Sequence, residues 1–310
     1  MLYFVTPEPS AFPGVSRLFD ETISVVGGEH IYLNDLHKIT KDDTTIFGAW
    51  SPAYAIALRR VKGEKIIHWA SPLLQTELAG VESEYLNTIL NLLDKDVIQG
   101  LWVIDKNNYE VLNREGVFYT PTPFSVDRLK KYQMKEKDKE GVDLFTIFHP
   151  RKNVMVQLAG AKLAQEENAF MLFTNGMPSM YQQFANSIGL NFYDWGFLPG
   201  GDYLSWLASS RLLLQVTLSE AFCYVAAEAL SLGVPVLMSP IVSQNMGIDK
   251  EELIVNDISS AKEISLLISH VLALDGKSYR RLSESCIKTI ENTARRNNEQ
   301  VRQMFLNLQN

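Results

Sequence analysis

The stretch SRLLLQVTLSEAFCYVAAEALSLGVPVLMSP, residues 210–240, decides the fold. It opens with an apolar run of strand length that reads to Leu218. Ser219 is a good N-cap for a helix after it. AFCYVAAEALSLG has helical composition, Gly233 is placed to cap it, and Pro235 opens a short second strand. Strand, helix and strand in such close succession form the parallel crossover unit. Glu220 falls at the expected helix entrance and Glu228 two turns inside. Eight residues at helical rise put them roughly 12 Å apart along the axis. Free N–H groups and the positive dipole end at the helix start suit an anion such as a diphosphate. Ala221, Ala226, Ala227 and Ala229 are small and allow close approach.

The same alternation runs outward in both directions. Before this stretch, DLFTIF, AFMLFTN and NFYDWGFL read as strands, and KNVMVQLAGAKLAQEE, MYQQFANSIG and DYLSWLASS as helices. After it come closing helices that end in SYRRLSESCIKTIENTARRNNEQVRQMFLNLQ. In the amino-terminal half LYFVT, HIYL, TTIFGAW, KIIHWA, VIQGLWVI and VFYT have strand length and are rich in β-branched and aromatic residues. SEYLNTILNLLDK places Leu86, Ile89, Leu90 and Leu93 on one helical stripe. Such alternation predicts parallel sheets covered on both faces. The pattern breaks only at the densely charged VDRLKKYQMKEKDKEG, which reads as a solvated linker. The expected organisation is therefore an amino-terminal Rossmann-like domain over 1–127, a linker over 128–141, a second Rossmann-like domain over 142–290 and a final helix over 291–310. That helix carries Val301, Met304, Phe305 and Leu308 at helical spacing and is expected to cross back to the first domain. Ligands in doubly wound sheets bind outside the carboxyl ends of the strands, so two facing domains imply a cleft.

Composition narrows the function. The chain has 310 residues, 46% of them hydrophobic, and a formal charge of −7, which argues against a protein built to wrap nucleic acid. Its two cysteines, Cys223 and Cys286, make no disulfide framework and no zinc spacing. The start MLYFVTPEPS lacks the features of a signal peptide, and no apolar run is long enough to span a membrane. A cytoplasmic protein is expected.

Residues 210–240 resemble the signature of the family 4 retaining glycosyltransferases of GT-B fold. That signature is two glutamates separated by seven residues, a small-residue helix, G-x-P and a strand; here Glu220, Glu228, Gly233, Val234 and Pro235 match it. The resemblance implies an α/β protein with two doubly wound Rossmann-like domains facing across a cleft. It implies that Glu228 holds the ribose hydroxyls and that Glu220 contacts the donor sugar, with the backbone of Ala221, Phe222 and Cys223 at the donor. HPRKN, residues 149–153, resembles the family's basic turn, where an arginine and a lysine grip the donor phosphates. Lys152 matches the lysine. The arginine position falls near Ile147 or Phe148, so Arg151 or His149 stands in. WGFLPGG resembles the segment whose backbone contacts the base, matched by Gly196 and Phe197; Thr174-Asn175-Gly176 ends a strand beside it. In the first half, Gly14 takes the place of a glycine-rich loop near the diphosphate, and His68, at the end of KIIHWA, that of a histidine touching the sugar. The family start E-G-F-G is E-A-F-C here, which narrows the closest backbone approach.

What this implies is transfer of a sugar, with retention, from a UDP- or GDP-linked donor. Glu220, His68 and Lys152 would act at the reacting centre, and no metal and no other cofactor would be required. The acceptor is open among a saccharide, a protein and a modified viral DNA base. Two rivals share the fold: a nucleotide-sugar epimerase, and a non-catalytic subunit acting as a binding partner. Asp94-Lys95-Asp96 has an Asp-x-Asp form, but it sits at a helix end rather than in a strand-end loop. Gly27-Gly28 reads as a turn. Arg59, Arg60, Lys62 and Lys65 form a basic cluster that is either a solvated face or a landing patch for an anionic acceptor.

Overall fold

The computed structural model describes residues 1–9, 13–134 and 140–309. It divides into two compact units, Met1–Ser125 with Ala294–Asn310, and Val126–Thr293.

The first unit is built on six parallel strands: β1 (Leu2–Thr6), β2 (Glu29–Tyr32), β3 (Thr44–Gly48), β4 (Glu64–Trp69), β5 (Gly100–Val103) and β6 (Val117–Tyr119), in the order β2-β1-β3-β4-β5-β6. All five residues of LYFVT are buried, as a parallel strand covered on both faces requires. Helices α1 (Pro13–Val26), α2 (Tyr54–Arg60), α3 (Leu73–Leu78), α4 (Val81–Asp94) and α5 (Lys106–Leu112) cover the sheet. One face packs Tyr3, Val5, Phe47, Ile67 and Leu101 against Tyr54, Leu58 and Ile89. On the other face Phe4 and Trp102 meet Phe19 of α1 at ring distances of 5.1 and 6.3 Å. The connection from β2 to β3 is thin, a short 3-10 segment, Leu33–Lys38, in place of a crossover helix.

The second unit has five parallel strands, β7 (Glu140–Leu144), β8 (Leu172–Thr174), β9 (Phe192–Asp194), β10 (Ser210–Gln215) and β11 (Val236–Met238), in the order β11-β10-β7-β8-β9. The order reverses between β7 and β10, and this is the switch point at which doubly wound sheets bind ligands. Its helices are α6 (Val154–Gln165), α7 (Ser179–Ser187), α8 (Gly200–Ser209), α9 (Tyr224–Ser231), α10 (Pro240–Met246) and α11 (Ala261–Leu272). Gly160 lets α6 lie against α11: a Cβ there would sit 2.6 Å from the Ile264 side chain. Gly233, at φ +72°, ends α9 as the sequence predicts; Val234 N–H closes the turn on Ala229 O at 2.8 Å. A single helix, α12 (Gly276–Gln309), begins in the second unit and ends in the first. There Phe305 packs 6.0 Å from the Phe4 ring and 5.3 Å from Trp102, while Asn297 and Asn298 donate to Thr122 O and Phe124 O.

Three local expectations are corrected. The strand expected to reach Leu218 stops at Gln215, because Val216 N–H donates to the Gln157 side chain and Leu218 N–H to Arg151 O, instead of continuing the ladder. The helix expected after Ser219 starts only at Tyr224, with Cys223 at its N-cap and no side-chain capping bond. Glu220 therefore lies in a loop, and helical rise does not measure its separation from Glu228. Residues 221–223 likewise precede α9 rather than form its first turn. Finally, the charged segment is not a free linker throughout. Asp127–Tyr132 forms a 3-10 segment with Leu129 fully buried, and Gln133 Nε2 donates to Ser231 O at 2.8 Å. Residues 135–139 of the expected linker lie outside the described residues, as do residues 10–12 before Gly14.

Candidate functional site

The loops after β7 and β10 are tied together at the switch point. After β7 the chain makes a 3-10 turn, Pro150–Lys152, and then Asn153 takes a left-handed conformation, φ 54°, that aims α6 back over the sheet. Asn153 Nδ2 fixes this turn by donating to Ile258 O at 2.6 Å, and Gln157 Nε2 donates to Lys152 O at 2.7 Å. The turn presents Arg151 and Lys152 to the loop after β10. Arg151 Nη1 donates to Ser219 O at 2.9 Å and to Glu220 Oε2 at 3.0 Å, and the Lys152 ammonium donates to the same carboxylate oxygen. Lys152 and Glu220 are buried, at 6% and 7% exposure, and Arg151 is half-buried. Two cations thus share one carboxylate. The cluster keeps a net charge of +1 in a largely desolvated place, an arrangement that favours an incoming anion.

The remainder of this loop is held from behind. Asn245 Nδ2, on α10, donates to Glu220 O at 3.1 Å and Ala221 O at 2.9 Å. Ala221 and Cys223 are buried and Phe222 is half-buried. Cys223 Sγ donates to Gln215 Oε1 at 3.3 Å. Burial pushes its thiol up to about 11, against the pull of the Lys152 charge. The sulfur is therefore a protonated packing group and not a nucleophile.

Glu228 lies in α9, 5% exposed, with both carboxylate oxygens engaged. Tyr203 Oη of α8 donates to Oε2 at 3.0 Å, and the Arg128 guanidinium stands 4.0 Å from Oε1. The Tyr203 ring is in turn 5.8 Å from that of Phe145, just after β7.

The carboxyl ends of β8 and β9 form a second pair of linked turns. Asp194 accepts from Thr174 Oγ1 at 2.9 Å, Gly176 N–H at 2.8 Å and Met177 N–H. Asn175 accepts from Thr146 N–H at 3.0 Å, which joins them to the loop after β7. Gly176 and Gly196 both have positive φ, and a Cβ on Gly176 would lie 3.8 Å from the Gly196 carbonyl carbon. Next to Gly196, Phe197 is 91% exposed.

In the first unit Gly14 is an exposed residue of α1 with open space where a side chain would project. His68 is different, and here the expectation of a sugar contact is corrected. The ring is wholly buried, 4.5 Å from Trp102 and 6.1 Å from Phe19. Nδ1 lies 3.2 Å from Trp102 O. A carbonyl accepts only, so Nδ1 carries the proton and Nε2 is a bare acceptor; it has no partner among the described residues. Burial pulls the imidazole down to about 3, against the bond to Trp102 O. His68 is a neutral core residue with no surface to offer a ligand. His149 accepts the Arg151 N–H on Nδ1, so it braces the turn. Asp94 is ion-paired with Arg114, and Gly27-Gly28 is a turn with positive φ at both residues.

Sequence reasoning missed Gln157, Tyr203 and Asn245. Each acts through a bond to a residue far along the chain and belongs to no local pattern.

No protein-family model matches the sequence, and no curated protein matches it. Solved structures do match. One, described as trehalose-6-phosphate from E. coli bound with UDP-2-fluoro glucose, superimposes with a TM-score of 0.72 at 10% identity, over 99% of this chain and 98% of that one. A glycosyltransferase from Rickettsia africae gives 0.69 at 13% identity, over 99% and 97%. A mutant of TarM from S. aureus, in complex with fondaparinux, alpha-GlcNAc-glycerol and UDP, gives 0.69 at 15% identity, over 90% of this chain and 58% of that one. The chain has the GT-B fold. Among the described residues no helix is long and apolar enough to cross a membrane.

Proposed function

We propose that this protein is a retaining glycosyltransferase that moves a sugar from a UDP- or GDP-linked donor to an acceptor hydroxyl. The observation that carries the reading is the net-positive cluster of Arg151, Lys152 and Glu220 at the switch point between β7 and β10. The Glu-x7-Glu signature and the likeness to structures described with UDP and a UDP-sugar support it.

The geometry suggests how the site would work. The donor diphosphate carries more negative charge than the Glu220 carboxylate and competes for the two cations. As it takes them, Glu220 is released toward the sugar hydroxyls. Glu228, oriented by Tyr203, accepts hydrogen bonds from the ribose. Phe197 offers an open ring face to a base, and Gly176 and Gly196 leave room for it. In the transfer step the bond from the anomeric carbon to the phosphate oxygen breaks. The acceptor oxygen bonds to that carbon from the same face, and its proton passes to the departing phosphate oxygen. Arg151 and Lys152 stabilise the negative charge that develops there. Two side-chain cations supply this charge, so the proposal requires no metal and no other cofactor. His68 takes no part. The acceptor class, a saccharide, a protein or a modified DNA base, belongs to the same proposal.

The test is a panel of nucleotide sugars, with nucleotide release followed with and without candidate acceptors and with calorimetry on UDP and GDP. Acceptor-dependent release is expected. Conversion of a nucleotide sugar with no acceptor would identify an epimerase instead. A chain that binds no nucleotide would be a non-catalytic subunit.

A further inference from the structure

The first unit contains a cavity of about 600 Å³ that the proposed reaction does not use. It exists because the β2–β3 connection is a short 3-10 segment. Right-handed crossovers place that segment and α2 on the same face of the sheet. Six residues cannot cover the width that a crossover helix would, and a space remains beside the end of α2.

The lining combines apolar and basic side chains with the polar Asn34, His37 and Thr40. Leu33, Leu36 and Ile39 are half-buried, packed on their inner sides against the core of the unit and open to the cavity on the other. Opposite charge chemistry comes from Lys41, Arg60 and Lys62, all exposed. Lys41 stands in the turn just before β3, Arg60 is the last residue of α2, and Lys62 lies in the turn between α2 and β4. All three cations therefore sit toward the amino-terminal edge of the sheet, away from the carboxyl ends where a doubly wound sheet binds its substrates. Among the described residues no carboxylate lines the cavity, and none of the three cations has an ion-pair partner. In a chain of net charge −7, three unneutralised cations around one concave, partly apolar space form a local exception. Two other basic groups of this unit are matched by contrast: Lys38 bridges Glu29 and Asp35, and Arg114 binds Asp94.

We propose that this cavity binds a small amphipathic organic anion. Its apolar or ring-shaped body would lie on Leu33, Leu36 and Ile39, and its phosphate or sulfonate group would be held by Lys41, Arg60 and Lys62. The volume is that of an ordinary small-molecule site, and the charge chemistry selects an anion over a neutral sugar. The site is separate from the sugar-transfer reading, since none of its residues belongs to the second unit.

The probe is 1-anilinonaphthalene-8-sulfonate, an aromatic sulfonate whose fluorescence rises and shifts to the blue in apolar surroundings, titrated into the full-length chain. Arg60→Glu with Lys62→Glu reverses two exposed charges and leaves the core untouched. This double variant is expected to raise the probe's Kd at least tenfold. Arg59→Glu, on the same helix but outside the cavity, is expected to leave it unchanged. An unchanged Kd in the double variant would overturn the proposal. So would an equal loss in Arg59→Glu, which would reduce the effect to general surface charge. Capture by anionic phospholipid vesicles with no saturable binding of the soluble probe would show a membrane surface instead, and would also overturn it.

Discussion

Replacing Glu220 with Gln gives a prediction whose signs oppose one another. The variant keeps the size of the side chain and one acceptor oxygen, but it removes the anion that Arg151 and Lys152 share. The cluster goes from a net charge of +1 to +2. Removing one partner of a buried ion pair costs about 3–5 kcal/mol; the retained acceptor oxygen brings the expected loss to about 2–3 kcal/mol. For a unit of this size that is a fall of about 4–12 °C in Tm. The effect on the ligand runs the other way. In the wild type a diphosphate must displace Glu220 from both cations; in the variant it meets no charged competitor. Relief of one charge-assisted hydrogen bond is worth about 1.5–3 kcal/mol, so UDP or GDP should bind about ten- to a hundredfold more tightly. Turnover should still fall at least about tenfold, because the carboxylate released toward the sugar is gone. Calorimetry gives the affinity, and a thermal melt with and without nucleotide gives the stability, with saturating nucleotide restoring the lost Tm. Equal or weaker nucleotide affinity in Glu220→Gln would refute the idea that this carboxylate holds the place of the diphosphate.

Other outcomes come from the same geometry. Glu228→Ala should weaken free nucleotide and nucleotide sugar alike, by about 1.5–3 kcal/mol; unchanged affinity for UDP and GDP by calorimetry would remove the ribose role. His68 ionises near 6.5 when unfolded and at about 3 when folded. Its neutral burial therefore contributes stability that is present above pH 6.5 and lost as pH falls toward 3. His68→Phe should flatten the acid side of the stability curve measured by urea titration, and an unaltered acid slope would show that another group causes it. Phe305→Ala should cost the first unit about 3–4 kcal/mol, because the ring fills a site between Phe4 and Trp102. A change under 1 kcal/mol in chemical denaturation would mean that this end of α12 is not part of that core.

The fold was legible because its strands are covered on both faces. LYFVT and RLLLQ announce themselves as continuous apolar runs, and the helices between them keep their own period. What escaped was set by contacts between distant residues. The loop 216–223 leaves the ladder because Gln157 and Arg151, more than fifty residues earlier, take its N–H groups. No local propensity in VTLSEAFC encodes that. His68 was easily placed on a strand. Which way its ring points was not readable, since a strand buried on both sides shows no polar and apolar alternation. The 3-10 segment at 127–132 hid behind its charges: one buried residue, Leu129, anchors it. The basic turn 149–153 could be found by type, but the bonds from Arg151 and Lys152 to Glu220 required the two loops to be seen side by side.

The final helix has a consequence for the order in which the protein is made. The first unit is discontinuous: residues 1–125 form its sheet, and a segment beginning at Ala294 completes its core. On the ribosome, the first domain to emerge is therefore the last to be finished. At ordinary synthesis speeds of about 5–20 residues per second, roughly ten to forty seconds separate the appearance of β6 from that of Phe305. Throughout that interval Phe4 and Trp102 lack the Phe305 ring, while the second unit acquires every strand of its sheet. The nascent chain should pass through a stage in which its later half is native and its earlier half waits, with apolar surface open to chaperones until α12 arrives.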